Sequence, residues 1–154
     1  MSTNPAGGFL GLPGLGPLEE QTSRKFLTDN NHIVRRGAKL DAATDDVENV
    51  GKEHQVRAGM LVVQVLSGVN AGKYVDVTHA NAPAAGTIEE VGILMESVNM
   101  RNKAGDREDK ACSVVIHGFV RESQLLFGTA DVGLIDEMKA ALPLIMFEAD
   151  VPQP

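Results

Sequence analysis

Residues 61–79, LVVQVLSGVNAGKYVDVTH, decide the fold. Leu61 to Leu66 is an apolar run rich in β-branched side chains, bounded by Gly59 and Ser67, and reads as a buried strand. In the second half Tyr74, Asp76 and Thr78 alternate with Val75 and Val77, the two-residue period of a strand. Between them, Gly68 and Gly72 supply the positive φ that a tight reversal needs. The stretch predicts a β-hairpin.

Working towards the C-terminus, residues 81–86 (NAPAAG) read as a loop and residues 91–98 (VGILMESV) as a third apolar run with strand character. The charged stretch 101–110 (RNKAGDREDK) reads as a solvated hairpin tip, and residues 111–120 (ACSVVIHGFV) as a fourth strand. Only then does the period change to that of a helix. Leu134, Ile135, Met138, Ala141 and Leu142 form one stripe, with Asp131 as cap and Pro143 as stop, and Leu144 to Phe147 reads as a closing strand.

Working towards the N-terminus, residues 19–51 are mixed, with a strand-like piece around residues 32–36 and the acidic Asp41, Asp45, Asp46 and Glu48. Residues 1–18 hold five glycines and three prolines, too many for a packed element. The expected fold is therefore mainly β (α+β): a β-rich domain over residues 56–154 with one C-terminal helix, preceded by a flexible, extended N-terminal arm over residues 1–55. Phe9, Leu10, Leu12, Leu15 and Leu18 in that arm are either anchors that dock on a partner or incidental residues of a loose terminus.

Composition narrows the function. The 154 residues suit one domain with appendages, and 43% apolar and 23% charged residues suit a globular core. Aromatics are only 4%, thin for a surface that stacks on sugars or bases. The net charge is -7, with five basic against seven acidic side chains up to residue 50 and nine against fourteen after it. Neither part offers a footprint for phosphates, so nucleic acid is not an expected partner. The start of the chain is neither signal peptide nor membrane helix, and no membrane partner is expected. The single Cys112 fits a reducing cytoplasm.

Motifs of chemistry are scarce. Residues 68–74 (GVNAGKY) are one residue short of a phosphate loop and carry Tyr where a magnesium-binding hydroxyl belongs, so the turn reading holds. Cys112 and His117 invite a nucleophile-and-base reading, but residues five apart on a strand point to opposite faces. His32, His54, His79 and His117 are scattered without metal-ligand spacing, and no metal or cofactor is expected. The pairs Glu89-Glu90 and Asp136-Glu137 read as solvated faces. No catalytic residues are assigned and the chain is not expected to be an enzyme. The competing readings are a small cytoplasmic enzyme using Cys112 and, last, a ligand-binding β-barrel.

The succession Arg57-Ala58-Gly59-Met60 before a strand, Gly72-Lys73-Tyr74-Val75, Val91-Gly92-Ile93-Leu94 with Glu96, and Val114-Val115-Ile116-His117-Gly118 resembles the lambda-type head decoration proteins of tailed bacteriophages. The ending, Ile135 to Phe147, is similar to the close of that family, so the resemblance spans about residues 57–147. It implies a β-clip-type domain that forms homotrimers at three-fold and quasi-three-fold positions. These would sit on the outside of the expanded head, where they stabilise the shell against DNA pressure. The implied partners are the major capsid protein and the chain itself, and the implied location is the virion exterior, with host cytoplasm during assembly. The expected capsid contacts are Phe9, Leu10, Leu12, Leu15, Leu18, His32, Ile33 and Val34. The expected trimer contacts are Leu134, Ile135, Met138, Leu144 and Met146. The chain has roughly 55 residues ahead of the shared domain, more than short members of that family.

Overall fold

A computed structural model describes residues 26–28 and 32–149. Eight strands and one α-helix follow one another: β1 (Val34–Leu40), β2 (Gln55–Val56), β3 (Leu61–Gln64), β4 (Tyr74–Asp76), β5 (Val91–Leu94), β6 (Val98–Asn99), β7 (Lys110–Arg121), α1 (Val132–Ala140) and β8 (Ile145–Glu148). The architecture is mainly β with one helix.

The expected hairpin forms, with Val63 opposite Val75 and Gln64 opposite Tyr74. The sheet order is β1-β4-β3-β5-β7-β8, and β7 also pairs back onto β1, so five strands close into a ring. Closure at the β1–β4 seam rests on one parallel pair, Leu40 with Tyr74, and on the bond from the Asp41 amide to the Tyr74 carbonyl. Each strand of the ring sends one buried side chain into a shared cluster: Leu40, Val62, Tyr74, Leu94 and Val114. The inside of this small barrel is thus filled by side chains, as small barrels generally are.

A second cluster covers the other face, where Leu61, Val63, Val75, Val91, Ile93 and Val115 pack against Phe26, Leu125, Met138, Leu142 and Ile145. β3 and β5 are therefore buried on both faces, which is the physical reason their sequences are continuous apolar runs. Full burial of a Leu or Ile side chain contributes about 1.5–3 kcal/mol. The narrow ring also explains Gly92: a Cβ there would lie 2.5 Å from Val114 Cβ.

Two features differ from the sequence expectation. The arm was expected to reach residue 55, but β1 pairs with β7 along Val34 to Leu40 and supplies a wall of the barrel. The following acidic segment is folded in as well. Asp46, 2% exposed, accepts from Arg57 Nε at 2.7 Å, and the Ala42 amide donates to Asp109 at 2.9 Å. These partners come from residues far along the chain, so the local sequence looks polar and unstructured when taken alone.

The second is a bulge in β7. Val34 pairs with His117 but Arg35 pairs with Val115, leaving Ile116 as an extra residue. It inverts the alternation: Val115 faces the core before it and Val120 after it, while His117, Phe119 and Arg121 turn outward. Beyond the bulge Gly118 has φ 151° and receives Ile33, whose Cγ2 would be 3.1 Å from a Cβ. The Phe26 carbonyl accepts from the Arg121 amide and the Thr28 amide donates to the Phe119 carbonyl, so residues 26–28 lie alongside the end of β7.

The helix obeys its sequence. Asp131 caps it by accepting from the Leu134 amide at 2.8 Å, and it ends at Ala140, shortly before Pro143. β8 then pairs parallel to β7, Phe119 opposite Met146 and Arg121 opposite Glu148.

Candidate functional site

Of the titratable side chains that drew notice in the sequence, Lys73, Glu90 and Glu137 are engaged in structural contacts. Lys73 donates to Asn70 Oδ1 at 2.9 Å and pairs with Asp109 at 2.8 Å, bracing the β3–β4 turn. That contact raises the Lys73 pKa and lowers that of Asp109. Glu90 accepts from Arg36 at 3.0 Å and from the Tyr74 hydroxyl at 3.1 Å, and Arg36 also donates to that hydroxyl. Desolvation is the largest influence on the Tyr74 phenol and pushes its pKa up. Glu137, expected on a solvated face, instead accepts from the Gly86 amide at 2.8 Å and the Ile88 amide at 3.2 Å, tying the loop before β5 to α1.

Cys112 and His117 are not assembled into a pair. Cys112 lies opposite Ala38 and His117 opposite Val34, five residues apart on β7, or roughly 17 Å at the rise of a strand. Burial pushes the Cys112 thiol up to about 11. At neutral pH about one molecule in ten thousand would carry the thiolate. Among the described residues no group of three or more His, Cys, Asp or Glu side chains is placed to hold a metal ion. Among the same residues no helix is long and apolar enough to cross a membrane.

Apolar surface also remains uncommitted among the described residues. Of the expected trimer contacts, Met138 is 0% exposed inside the second cluster and is not available to a neighbour. Its helix stripe is consumed by the domain's own core, as the half-buried Leu134 and Ile135 packed beside it show. Leu144 and Met146 are 61% and 58% exposed. Phe119, which alternation along β7 places inside when the bulge is unknown, stands exposed beside Met146. Ile145 and Val120 occupy the opposite, buried face of the same two strands.

Among the expected capsid contacts, Phe9, Leu10, Leu12, Leu15 and Leu18 lie outside the described residues. His32 is exposed, Ile33 half-buried against Gly118, and Val34 exposed at the start of β1. These three sit beside β7 just after the bulge, so they belong to the folded domain and not to an arm separate from it.

A second uncharged area lies between the β3–β4 turn and the loop before β5. It is a concavity of about 400 Å³ whose wall combines Leu66, Ala80, Ala82, Pro83 and Ala84 with the polar Ser67, Asn81 and Thr87. Val69 on the adjoining turn is 96% exposed. The sequence signal for this area was its composition: residues 77–88 hold no Lys, Arg, Asp or Glu.

In comparisons with known proteins, no family model matches the chain and no curated protein matches it in sequence.

Proposed function

We propose that the chain is a capsid decoration protein that binds the outside of an expanded phage head as a homotrimer and stabilises it. The observation that carries this reading is the exposed apolar group Phe119, Leu144 and Met146 on the outer face of β7 and β8. Exposed apolar groups of this kind mark surfaces that bind other proteins. The resemblance of residues 57–147 to lambda-type decoration proteins supplies the kind of partner, and within the mainly-β class it assigns a β-clip-type domain.

Of the five expected subunit contacts this reading retains Leu144 and Met146, adds Phe119, and drops Leu134, Ile135 and Met138, which pack on the core. The arm that contacts the major capsid protein shortens to the residues ahead of Phe26, because β1 is part of the barrel. A ligand that binds only the expanded lattice shifts the shell towards that state, and three copies acting together add avidity. The acidic net charge suits the exterior of a DNA-filled particle.

Co-sedimentation with expanded and unexpanded shells tests the reading. The intact chain is expected to pellet with expanded shells only, and a chain lacking residues 1–25 to bind them more weakly. A chain that ignores both shells refutes the proposal. Binding undiminished by the truncation refutes the role of the arm.

A further inference from the structure

The apolar face of β7 and β8 reaches further than Phe119, Leu144 and Met146. Phe119 is opposite Met146, and Val34 is opposite His117, two residues earlier on β7. Side chains two apart on a strand share a face, so Val34, Phe119 and Met146 form one surface across β1, β7 and β8, with Leu144 at its margin. Their exposures are 46%, 36%, 58% and, for Leu144, 61%. His117 stands within this surface, and Arg121 and Glu148, opposite each other in register, mark its far end.

The described domain meets the N-terminal part of the chain beside this same face. The Phe26 carbonyl accepts from the Arg121 amide at 2.8 Å, and the Thr28 amide donates to the Phe119 carbonyl at 3.0 Å. Residues 26–28 are therefore one strand away from β7 and two from β8, about 10 Å at the spacing of a sheet. Residues 1–18 hold no Lys, Arg, Asp, Glu or His and carry Phe9, Leu10, Leu12, Leu15 and Leu18. The charges Glu19, Glu20, Arg24 and Lys25 all fall in the seven residues between that segment and Phe26. Seven residues span up to about 24 Å, enough to bring Leu18 back over Phe119 and Met146.

The two surfaces suit each other. In a chain of net -7 the segment is free of charge and its large side chains are apolar, as are those of the face, so pairing them removes apolar area of both from water. Linkage through seven residues makes the contact intramolecular, at an effective concentration on the order of millimolar, so a modest apolar contact suffices.

We infer that in the free chain residues 9–18 lie on the face formed by Val34, Phe119, Leu144 and Met146 of the same chain. The inference does not rest on the capsid reading. It adds a condition to that reading: the segment must leave the face before the one binds a shell or the other a neighbouring subunit.

The test uses the full chain with Cys112→Ala and Gly14→Cys, a nitroxide on the thiol so introduced, and carbon-13 in the methionine methyls. Met138, buried in the second cluster, reports by its unchanged methyl signal that the domain is folded; if it shifts, Cys112→Ser replaces Cys112→Ala. The reference is the same labelled chain with Leu10→Ser, Leu12→Ser and Leu15→Ser, which keeps the tether and removes the apolar contact. The Met146 methyl is expected to be broadened severalfold more in the parent than in the reference. A mixture of nitroxide chain without carbon-13 and carbon-13 chain without nitroxide is expected to leave Met146 sharp. A second measurement needs no label: chymotrypsin should cut between residues 9 and 18 severalfold faster in Leu144→Ser with Met146→Ser than in the intact chain.

Equal broadening in parent and reference overturns the inference, as do equal cleavage rates. Broadening in the mixture overturns it too, because the occupant is then the segment of another copy. Neither measurement involves a shell, so a failure here leaves the capsid reading to its own co-sedimentation test.

Discussion

Replacing Gly92 by alanine tests the closed barrel directly. The added Cβ would lie 2.5 Å from Val114 Cβ, 2.7 Å from Cγ2 and 3.0 Å from Cγ1. The nearest of these is fixed to the backbone of β7, so no rotamer change relieves the contact and β5 must move away from β7. Overpacking of this kind costs about 1–3 kcal/mol. The entropic benefit of Ala over Gly offsets about 0.5–1 kcal/mol of that. The net expectation is a loss of about 1 kcal/mol, or about 4 °C in Tm for a domain of roughly 120 residues. Gly37→Ala is the control, since nothing lies within 4 Å of a Cβ at that position. It should be neutral or stabilising by up to about 1 kcal/mol. The assay is equilibrium unfolding in urea, with the m-value checked for constancy. In a Val114→Gly background the Gly92→Ala cost should vanish. If Gly92→Ala and Gly37→Ala unfold within about 0.5 kcal/mol of each other, a resolution typical of such comparisons, the close packing of β5 against β7 is wrong.

Three further outcomes are expected. With its thiol at about 11, Cys112 should react with iodoacetamide at neutral pH about a hundredfold or more slower than a free cysteine. Its rate should still be rising at pH 10, and a plateau near pH 7 would revive the nucleophile reading. Asp131→Ala should cost about 1 kcal/mol by removing the cap on the Leu134 amide, read as a lowered urea midpoint. Asp109 is held below its ordinary 3.8 chiefly by the hydrogen bond from Lys73, so its contribution is complete above that value. It is lost as acid takes the pH through the lowered value. Asp109→Asn should therefore flatten the acid limb of the stability curve below pH 4, and an unchanged limb would show that the pair adds nothing.

The β character, the hairpin at residues 61–79, the capped helix and the closing strand were legible because each is written in local periodicity and turn chemistry. Capping by Asp131 and the turn at Gly68–Gly72 involve partners a few residues away, so the sequence carries them whole. The same local reading made the acidic stretch from Asp41 look unfolded, because its partners Arg57, Tyr74 and Asp109 are distant in sequence.

The surface at the centre of the proposed function was decided only in three dimensions. Leu144, Met146 and Met138 are alike as sequence symbols, yet Met138 is spent on the core while the other two stand outside. Phe119 is exposed because the extra residue at Ile116 inverts the alternation of β7, and a bulge is set by pairing with β1, not by the composition of β7 itself. By itself the sequence determined which segments become strands and helix, since those preferences are local. Which apolar side chains remain for a partner was decided by how the strands closed on one another, because burial depends on every neighbour at once.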